Sequence, residues 1–278
     1  MGIEKNLLKE AEGWTDWRDF RIVNKVPESS EITSFYLSPV DGRPLPSFKP
    51  GQYISVQTDV PALRYMQSRQ YSLSDAPNPR YYRISVKKEP GIQGTDGEAY
   101  HPAYISNTLH SEKNVGDVLQ VSHPYGEFYL DPSESASTPV VLISAGVGLT
   151  PMLSIMNTLV QKDSKRSISW IHAARSSETQ AFGKHVQDTV KQHENVSSVV
   201  FNKHPSRDAV KGVDYDFQSR MDLDILDKRR QLRVGDGAVY YICGPSSFMT
   251  DMSDKLKAYG VPRENIKLEI FGTGMLSV

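Results

Sequence analysis

The segment PVVLISAGVGLTPM, residues 139–152, decides how the rest of the chain is interpreted. Its four consecutive apolar residues, 140–143, predict a strand buried on both faces, and Pro151 suits the first turn of a following helix. Gly146 and Gly148 remove two Cβ atoms at the intervening turn, so helix-start amides could approach an anionic group such as a pyrophosphate. The third glycine of the dinucleotide fingerprint is missing, and many α/β turns carry two glycines without a ligand. Whether this turn binds a dinucleotide must therefore be judged from the sequence on either side of it.

Length and composition restrict the classes of protein. A chain of 278 residues has room for two domains. Its 32 lysines and arginines nearly balance 33 aspartates and glutamates, which argues against a general binder of nucleic acids or membranes. The single cysteine, Cys243, excludes an intrachain disulfide framework and any four-cysteine metal site. The charged N-terminus and the lack of long apolar runs predict a soluble, cytoplasmic protein.

The pattern of the chain changes near residues 131–138, a polar, turn-forming stretch. Before it, short strands with alternating apolar residues and glycine or proline turns predict an antiparallel β-barrel. After it, strands and helices alternate, which predicts a parallel doubly wound sheet that binds ligands at the carboxyl ends of its strands. We expect a linker with a short helix (1–14), a β-barrel domain (15–134) and an α/β domain (135–278).

The predicted elements are as follows. Barrel strands are expected at 20–23, 32–37, 53–56, 71–74, 82–87 and 118–121, with a helical segment at 104–110. In the second domain, strands are expected at 140–144, 167–173, 196–201, 238–243 and 266–271, and helices at 152–161, 178–193 and 246–259.

The segment RQYSLS, residues 69–74, carries the chemistry of the barrel half. In a strand, Arg69 and Tyr71 share one face, and Ser72 and Ser74 share the other. A guanidinium for phosphate, an aromatic ring and a hydroxyl donor are what binding a flavin dinucleotide requires. An ordinary barrel strand with an exposed arginine would look the same, because the motif is short.

Four motifs together resemble a known family. They are RQYSLS (69–74), GVGLTPM (146–152), CGP (243–245) and EIFG (269–272), in the order found in the ferredoxin–NADP reductase superfamily. Four further segments are similar to the reductase part of flavohemoglobins, the nitric oxide dioxygenases: PGQYI (50–54), GEF (126–128), HAAR (172–175) and YICGPSSFM (241–249). The resemblance extends from about Gly13 to Gly272.

The resemblance implies FAD and NADH or NADPH as cofactors, with binding residues on both domains. FAD would be held by Arg69, Gln70, Tyr71 and Ser72, by Tyr53 near the adenine, and by Ser106 and Asn107 at a helix start. The nicotinamide dinucleotide would be held by Gly146, Gly148, Thr150, Pro151, Cys243, Gly244 and Pro245.

Four of the implied residues would take part in hydride transfer. They are Tyr71, Ser72, Cys243 and Glu269, with Phe271 shielding the flavin ring. Two plainer interpretations stay open: Cys243 could be a buried core thiol, and Glu269 and Phe271 could be simple strand alternation.

Arg175 follows a predicted strand at the position where a side chain selects between NADH and NADPH. A cation there, with Ser176 and Ser177, could accommodate a 2′-phosphate and so favours NADPH. The family resemblance implies NADH in many members, so both nucleotides are retained. The seven histidines lack the spacing of a metal site, and no metal is expected.

The sequence differs from the family in two ways, and these limit which family properties can be expected of this chain. Flavohemoglobins carry an N-terminal globin, whereas only residues 1–12 precede Gly13 here, so we expect a reductase without a haem pocket. Such reductases commonly stop near Phe-Gly, whereas this sequence continues through residues 273–278.

The sequence predicts a stand-alone, monomeric FAD-dependent NAD(P)H oxidoreductase with neither nucleic-acid nor membrane partners. The resemblance implies hydride transfer from nicotinamide C4 to flavin N5 in the cleft between the domains. Electrons would then pass singly to a globin or other haem protein, an iron-sulfur protein or a small oxidant. Two alternatives are an electron-transfer subunit active only in a complex and a non-catalytic flavin-binding regulator.

Overall fold

The computed structural model describes residues 13–60, 66–89, 92–93, 99–101, 104–130 and 137–271. It forms two compact units, Met1–Leu130 and Asp131–Val278. Three parts of the chain lie outside the described residues: residues 1–12, where the short N-terminal helix is expected, most of the polar segment 131–138, and the segment after Phe271.

The first unit contains eight strands and one helix among its described residues. They are β1 (Arg18–Pro27), β2 (Ile32–Pro39), β3 (Tyr53–Thr58), β4 (Gln67–Ser72), β5 (Tyr82–Lys87), β6 (Ile92–Gln93), β7 (Ala99–His101), α1 (Tyr104–Ser111) and β8 (Val118–Val121). Six strands form one antiparallel sheet in the order β4-β3-β8-β1-β2-β5. A bridge between Leu73 and Ile84 brings the two end strands together, which closes the sheet as a barrel.

The barrel core follows from the alternation of its strands. Ile54 and Val56 of β3 point inward and are fully buried with Phe20, Phe35 and Leu37 of the neighbouring strands. Apolar side chains at every second position therefore form one continuous core, as a half-buried strand requires.

One predicted barrel strand was misplaced. Residues 71–74 were expected as a strand, but β4 spans Gln67–Ser72 and pairs along its full length with β3. The polar residues Ser68, Arg69 and Gln70 hid its start, because they carry little apolar signal. Tertiary pairing overrides local propensity at such positions.

The second unit is a parallel α/β layer structure. Its main elements are β9 (Val140–Ala145), α2 (Leu149–Gln161), β10 (Ile168–Ser176), α3 (Gly183–Gln192), β11 (Val196–His204), β12 (Val239–Cys243), α4 (Ser246–Ala258) and β13 (Ile266–Glu269). The strand order is β11-β10-β9-β12-β13, and every pairing is parallel. The predicted fold class, a barrel followed by a doubly wound sheet, is confirmed.

The two faces of this sheet pack against different helices. Val141, Ile143 and Ile242 lie on one face with Met249 and Leu256 of α4. Residues of the alternate register, including Ser144, lie on the other face, and α2 contacts β9 and β12. The helix predicted at 178–193 begins instead at Gly183, because residues 177–179 form a separate 3₁₀ turn. In the described ranges, no helix is long and apolar enough to cross a membrane.

Candidate functional site

The two faces of β4 present different side chains. Arg69 lies opposite Val56, and Tyr71 lies opposite Ile54, so both share the face of the buried β3 residues. Tyr71 packs against the barrel core, and burial raises the pKa of its phenol. The hydroxyl of Tyr71 is therefore neutral at physiological pH.

Arg69 has unused hydrogen-bonding capacity. Among the described residues, its guanidinium donates to one acceptor, the carbonyl oxygen of the neighbouring Ser68, at 2.8 Å. A guanidinium carries five N–H donors in a planar fork that matches phosphate oxygens. Arg69 can therefore bind an anionic group without breaking a structural ion pair.

The other face of β4 carries Gln70 and Ser72, opposite Ser55 and Tyr53 of β3. The Oγ atom of Ser72 is buried, and no residue of the described part bonds to it. Buried polar atoms almost always have a partner, so an orphaned hydroxyl on this strand fits a cofactor with a polar edge. The residues present on β4 thus fit a flavin dinucleotide.

We predict that Ser72→Ala affects the FAD-free and FAD-bound protein in opposite ways. Removing an unsatisfied buried hydroxyl should leave the free energy of unfolding of the FAD-free protein unchanged or raise it by about 1 kcal/mol. The same change should weaken FAD binding, because one hydrogen bond is lost. Thermal unfolding with and without FAD measures both effects. A variant destabilised equally in the two states would assign Ser72 a purely structural role.

Helix α1 carries Ser106 and Asn107, both half-buried. Its C-terminal end is held by Lys25, whose Nζ donates to the carbonyl oxygens of Leu109 (3.2 Å), His110 (2.8 Å) and Lys113 (2.9 Å). A cation at this end stabilises the helix through its macrodipole. The helix also contacts β4, which places the two predicted flavin segments side by side.

The carboxyl ends of β9 and β12 form the topological switch point of the second unit. The chain leaves β9 toward β10 and β11 on one side, and β12 and β13 lie on the other. Such a point is where open α/β sheets bind ligands. Helices α2 and α4 begin there, and neither has a side-chain cap nor an acidic residue in its first turn. A 3₁₀ turn, Gly146–Gly148, precedes α2, and the Leu149 N–H already bonds to carbonyl oxygens of that turn. The amides of the turn itself and of the first turn of α4 therefore suit the phosphates of a dinucleotide.

The glycines at the switch point have different physical roles. Gly146 has φ +55°, and a Cβ there would meet nothing within 4 Å. A Cβ on Gly148 would lie 2.3 Å from the carbonyl oxygen of Cys243, and one on Gly244 would lie 2.8 Å from the ring of Phe248. Gly146 therefore leaves open space, whereas Gly148 and Gly244 allow the two turns to pack together.

Four polar side chains lie in register across the sheet beside this point. His172 lies opposite Ser144, Ser144 opposite Cys243, and Cys243 opposite Glu269. Adjacent residues of parallel strands share a face. The Nδ1 atom of His172 lies 2.9 Å from Ser144 Oγ, which confirms this orientation. Separate motifs of the sequence thus meet in one row.

Burial controls the charge of this row. It raises the pKa of Glu269 to about 7 and lowers the pKa of His172 to about 4. Burial, and then the nearby Glu269, raises the pKa of the Cys243 thiol. At neutral pH, His172 is neutral and Cys243 is protonated, so Glu269 is the member of the row that titrates near pH 7.

Other predicted residues are less available to a ligand. Thr150 and Pro151 are buried, and the Thr150 hydroxyl donates to the carbonyl oxygen of Val147 at 3.1 Å. The side chain of Cys243 is fully buried. At this turn, Gly146 is exposed and Gly148 is buried. Phe271, at the end of the described chain, is 41% exposed.

The region proposed to select the nucleotide is only partly at the surface. Arg175 is exposed near the end of β10. The Ser176 side chain forms a capping box with Thr179, and Ser177 Oγ accepts from Asn202 Nδ2 (3.2 Å) and from the backbone N–H of Ser206 (3.0 Å). Ser176 and Ser177 thus shape the loop, and Arg175 is the exposed side chain of the three.

The sequence analysis assigned no role to three residues beside these sites. Tyr125 pairs with Tyr53, and Ser144 and His172 join the polar row. Tyr125 lies outside any strand, Ser144 is the single polar residue of β9, and His172 lies in the middle of β10. In the described part, no group of three or more His, Cys, Asp or Glu side chains could hold a metal ion.

Comparisons with known proteins agree with this architecture. The oxidoreductase NAD-binding domain family matches residues 142–254. A flavohemoprotein of Bordetella pertussis is 46% identical over 279 residues, covering 99% of this chain and 66% of that protein. The chain thus spans just under two thirds of the length of this relative.

Two solved structures are similar over nearly the whole chain. The flavohem-like FAD/NAD-binding domain of nitric oxide dioxygenase from Vibrio cholerae is 35% identical, with a TM-score of 0.79, covering 93% of this chain and 100% of that one. The flavohemoglobin of Malassezia yamatoensis, with bound FAD and heme, is 25% identical, with a TM-score of 0.77, covering 98% of this chain and 64% of that one.

The barrel, the parallel sheet and their two sites define a flavin- and nicotinamide-binding oxidoreductase with a ferredoxin-reductase-like fold. Within that class, the chain belongs to the FAD/NAD-binding reductase family of the flavohemoproteins.

Proposed function

We propose that the chain accepts a hydride from NADH or NADPH on FAD and passes the electrons singly to a haem iron. FAD, when bound, supplies the change from a two-electron to a one-electron carrier. The observation that carries the proposal is the switch point, where two uncapped helix N-termini, the open side of Gly146 and the polar row lie together.

The protein residues have separate tasks in this proposal. Arg69 holds phosphate with its free N–H donors, Ser72 bonds to the polar edge of the flavin, and Tyr71 offers a neutral ring. The amides after β9 and β12 bind the nicotinamide dinucleotide. Glu269 holds or releases a proton near pH 7 beside the Cys243 thiol. Positioning and electrostatics are thus the contribution of the protein.

A haem acceptor is proposed because relatives carry that group. The similar proteins are named flavohemoproteins, and the Malassezia structure contains heme as well as FAD. This chain covers 64% of that structure and 66% of the Bordetella protein, so the whole-protein activity is itself part of the proposal.

An anaerobic absorbance titration tests the hydride step. The protein is saturated with FAD and titrated separately with NADH and NADPH, and bleaching of the flavin band is expected. Bound flavin that neither nucleotide bleaches would contradict the proposal. A subsequent addition of a ferric globin should restore the flavin band and reduce the haem, whereas restoration only by small oxidants would exclude the haem acceptor.

We predict that Glu269 makes the stability of the protein fall with rising pH. The folded pKa, about 7, exceeds the ordinary value of 4.5, so the unfolded chain releases this proton first. The contribution of Glu269 to the free energy of unfolding is fully present below about pH 4.5 and is lost as the pH rises through 7. Because Glu269 is partly exposed, we expect a loss of only about 1–2 kcal/mol.

Thermal unfolding of wild type and Glu269→Gln between pH 5 and pH 8 measures this effect. The difference in stability between the variant and wild type should be smallest at pH 5 and should shift in favour of the variant by pH 8. The exposed Glu264 provides the matched control, since Glu264→Gln should follow the wild-type pH profile. Parallel wild-type and Glu269→Gln profiles would show that Glu269 does not titrate in this range.

A further inference from the structure

Tyr53, on β3, forms a pair with Tyr125, which follows β8, and β3 pairs with the strand that carries the flavin-binding residues. The backbone N–H of Tyr53 donates to the carbonyl oxygen of Tyr125 at 3.0 Å, and the reverse bond measures 2.9 Å. Reciprocal bonds of this kind place the two side chains next to each other on one face. Their ring centroids are 4.4 Å apart, with an angle of 61° between the planes.

The residue after Tyr125 makes room for this pair. Gly126 has φ +114°, and a Cβ there would lie 2.7 Å from the Tyr53 ring. A side chain at this position would displace Tyr53. The local backbone is thus shaped around two aromatic rings that are not part of the barrel core.

The hydroxyls of both rings are already bonded within the protein. The Tyr125 hydroxyl bonds to Ser55 Oγ, and Gln70 Nε2 donates to the Tyr125 and Tyr53 hydroxyls at 3.3 and 3.5 Å. Tyr125 is nevertheless 36% exposed. What the pair can offer a ligand is therefore its ring surface, held in a fixed orientation by Ser55 and Gln70.

The pair lies on the same side of the strands as the orphaned hydroxyl. Tyr53 is the cross-strand partner of Ser72, and Ser55 is the partner of Gln70. The hydroxyl ends of both rings lie at Ser55 and Gln70, two residues further along the strands, so the ring surface extends away from Ser72. A flavin edge bound at Ser72 would therefore leave the rings to another part of the same ligand. The isoalloxazine of FAD needs hydrogen bonds at its polar edge, which rings with bonded hydroxyls do not supply, whereas adenine can bind by stacking alone.

We propose that Tyr125, together with Tyr53, is a stacking platform for the adenine of FAD, and that Ser55 and Gln70 fix its orientation. This inference rests on the proposed function, because it requires FAD to bind at β4. It adds a nucleotide-binding residue that lies outside the motifs of the sequence.

The affinities of Tyr125→Ala for FAD and FMN test the platform, because FMN lacks the adenine. Stacking of a base on an aromatic ring predicts roughly 5- to 100-fold weaker FAD binding. FMN binding should change by less than about twofold. Fluorescence titration of the FAD-free protein gives the dissociation constants of FAD and FMN. If FMN binds weakly, competition against FAD gives its dissociation constant. Equal weakening for both flavins, or none for either, would overturn the proposal.

Two further variants separate stacking from folding. Tyr125→Phe keeps the ring and should keep most of the FAD affinity, so a loss as large as that of Tyr125→Ala would contradict stacking. Tyr36 forms a comparable pair with Tyr81, with centroids 5.2 Å apart, on a strand that pairs with neither β3 nor β4. Tyr36→Ala should leave the ratio of FAD to FMN affinity unchanged. Failure of wild type to bind FAD would instead contradict the proposed function itself.

Discussion

Gly148→Ala is expected to slow reduction of bound flavin by NADH or NADPH about 100-fold while FAD occupancy stays at the wild-type level. The added Cβ would lie 2.3 Å from the carbonyl oxygen of Cys243 and 2.8 Å from the backbone nitrogen of Gly244. Both neighbours are backbone atoms, so the turns after β9 and β12 must separate. A displacement of about 1 Å at a reacting centre is enough for a loss of this size.

The rate of flavin bleaching in anaerobic stopped flow measures the loss, and the ratio of flavin to protein absorbance measures occupancy. Gly183→Ala is the control, because its Cβ would meet Gln180 Nε2, the end of a flexible side chain, at 3.1 Å. The control should reduce its flavin at the wild-type rate. A wild-type rate in Gly148→Ala would mean that the nicotinamide does not bind at the switch point.

Arg69→Ala is expected to weaken FAD binding roughly 30- to 300-fold, with little change in the stability of the FAD-free protein. A charged hydrogen bond contributes about 1.5–3 kcal/mol, and a guanidinium can make two such bonds to phosphate. Among the described residues, Arg69 bonds to the carbonyl oxygen of Ser68 alone, so the fold loses little without it.

FAD titration and thermal unfolding of the FAD-free protein measure the two quantities. Arg21→Ala is a matched control, since this exposed arginine also donates to one backbone carbonyl oxygen, that of Gly116, at 2.7 Å. The FAD affinity of Arg69→Lys should lie between those of wild type and Arg69→Ala, because lysine keeps the charge but lacks the paired N–H donors of the guanidinium. Full FAD occupancy in Arg69→Ala at low micromolar concentration would refute the assignment.

The elements of the second unit show where sequence patterns succeed. The apolar run before Gly146 predicted β9 nearly to the residue, and the strand-helix alternation predicted the parallel sheet. These features depend on neighbouring residues and on burial of both sheet faces, which leave a local signature. Strand β4 shows the limit, because its polar start acquires its structure from pairing with β3.

Some properties of the candidate sites could likewise be predicted from local sequence, and others could not. Short sequence motifs were enough to select Arg69, Ser72, Gly146 and Gly148, because a turn or a charged group can be recognised from a few neighbouring residues. The sequence did not reveal that Gly148 packs against Cys243 or that the Ser72 hydroxyl lacks a partner. Those properties depend on atoms contributed from distant parts of the chain.

The sequence by itself determined the order of a barrel and a doubly wound sheet, the family and the two cofactors, because repeated local patterns and motifs encode them. Only the tertiary structure decided that Tyr125 lies against Tyr53 and that Ser144, Cys243 and Glu269 stand in one row. Strand register and burial create both arrangements. The same burial raises the pKa of Glu269 to about 7, because a carboxylate loses solvation only where other segments cover it.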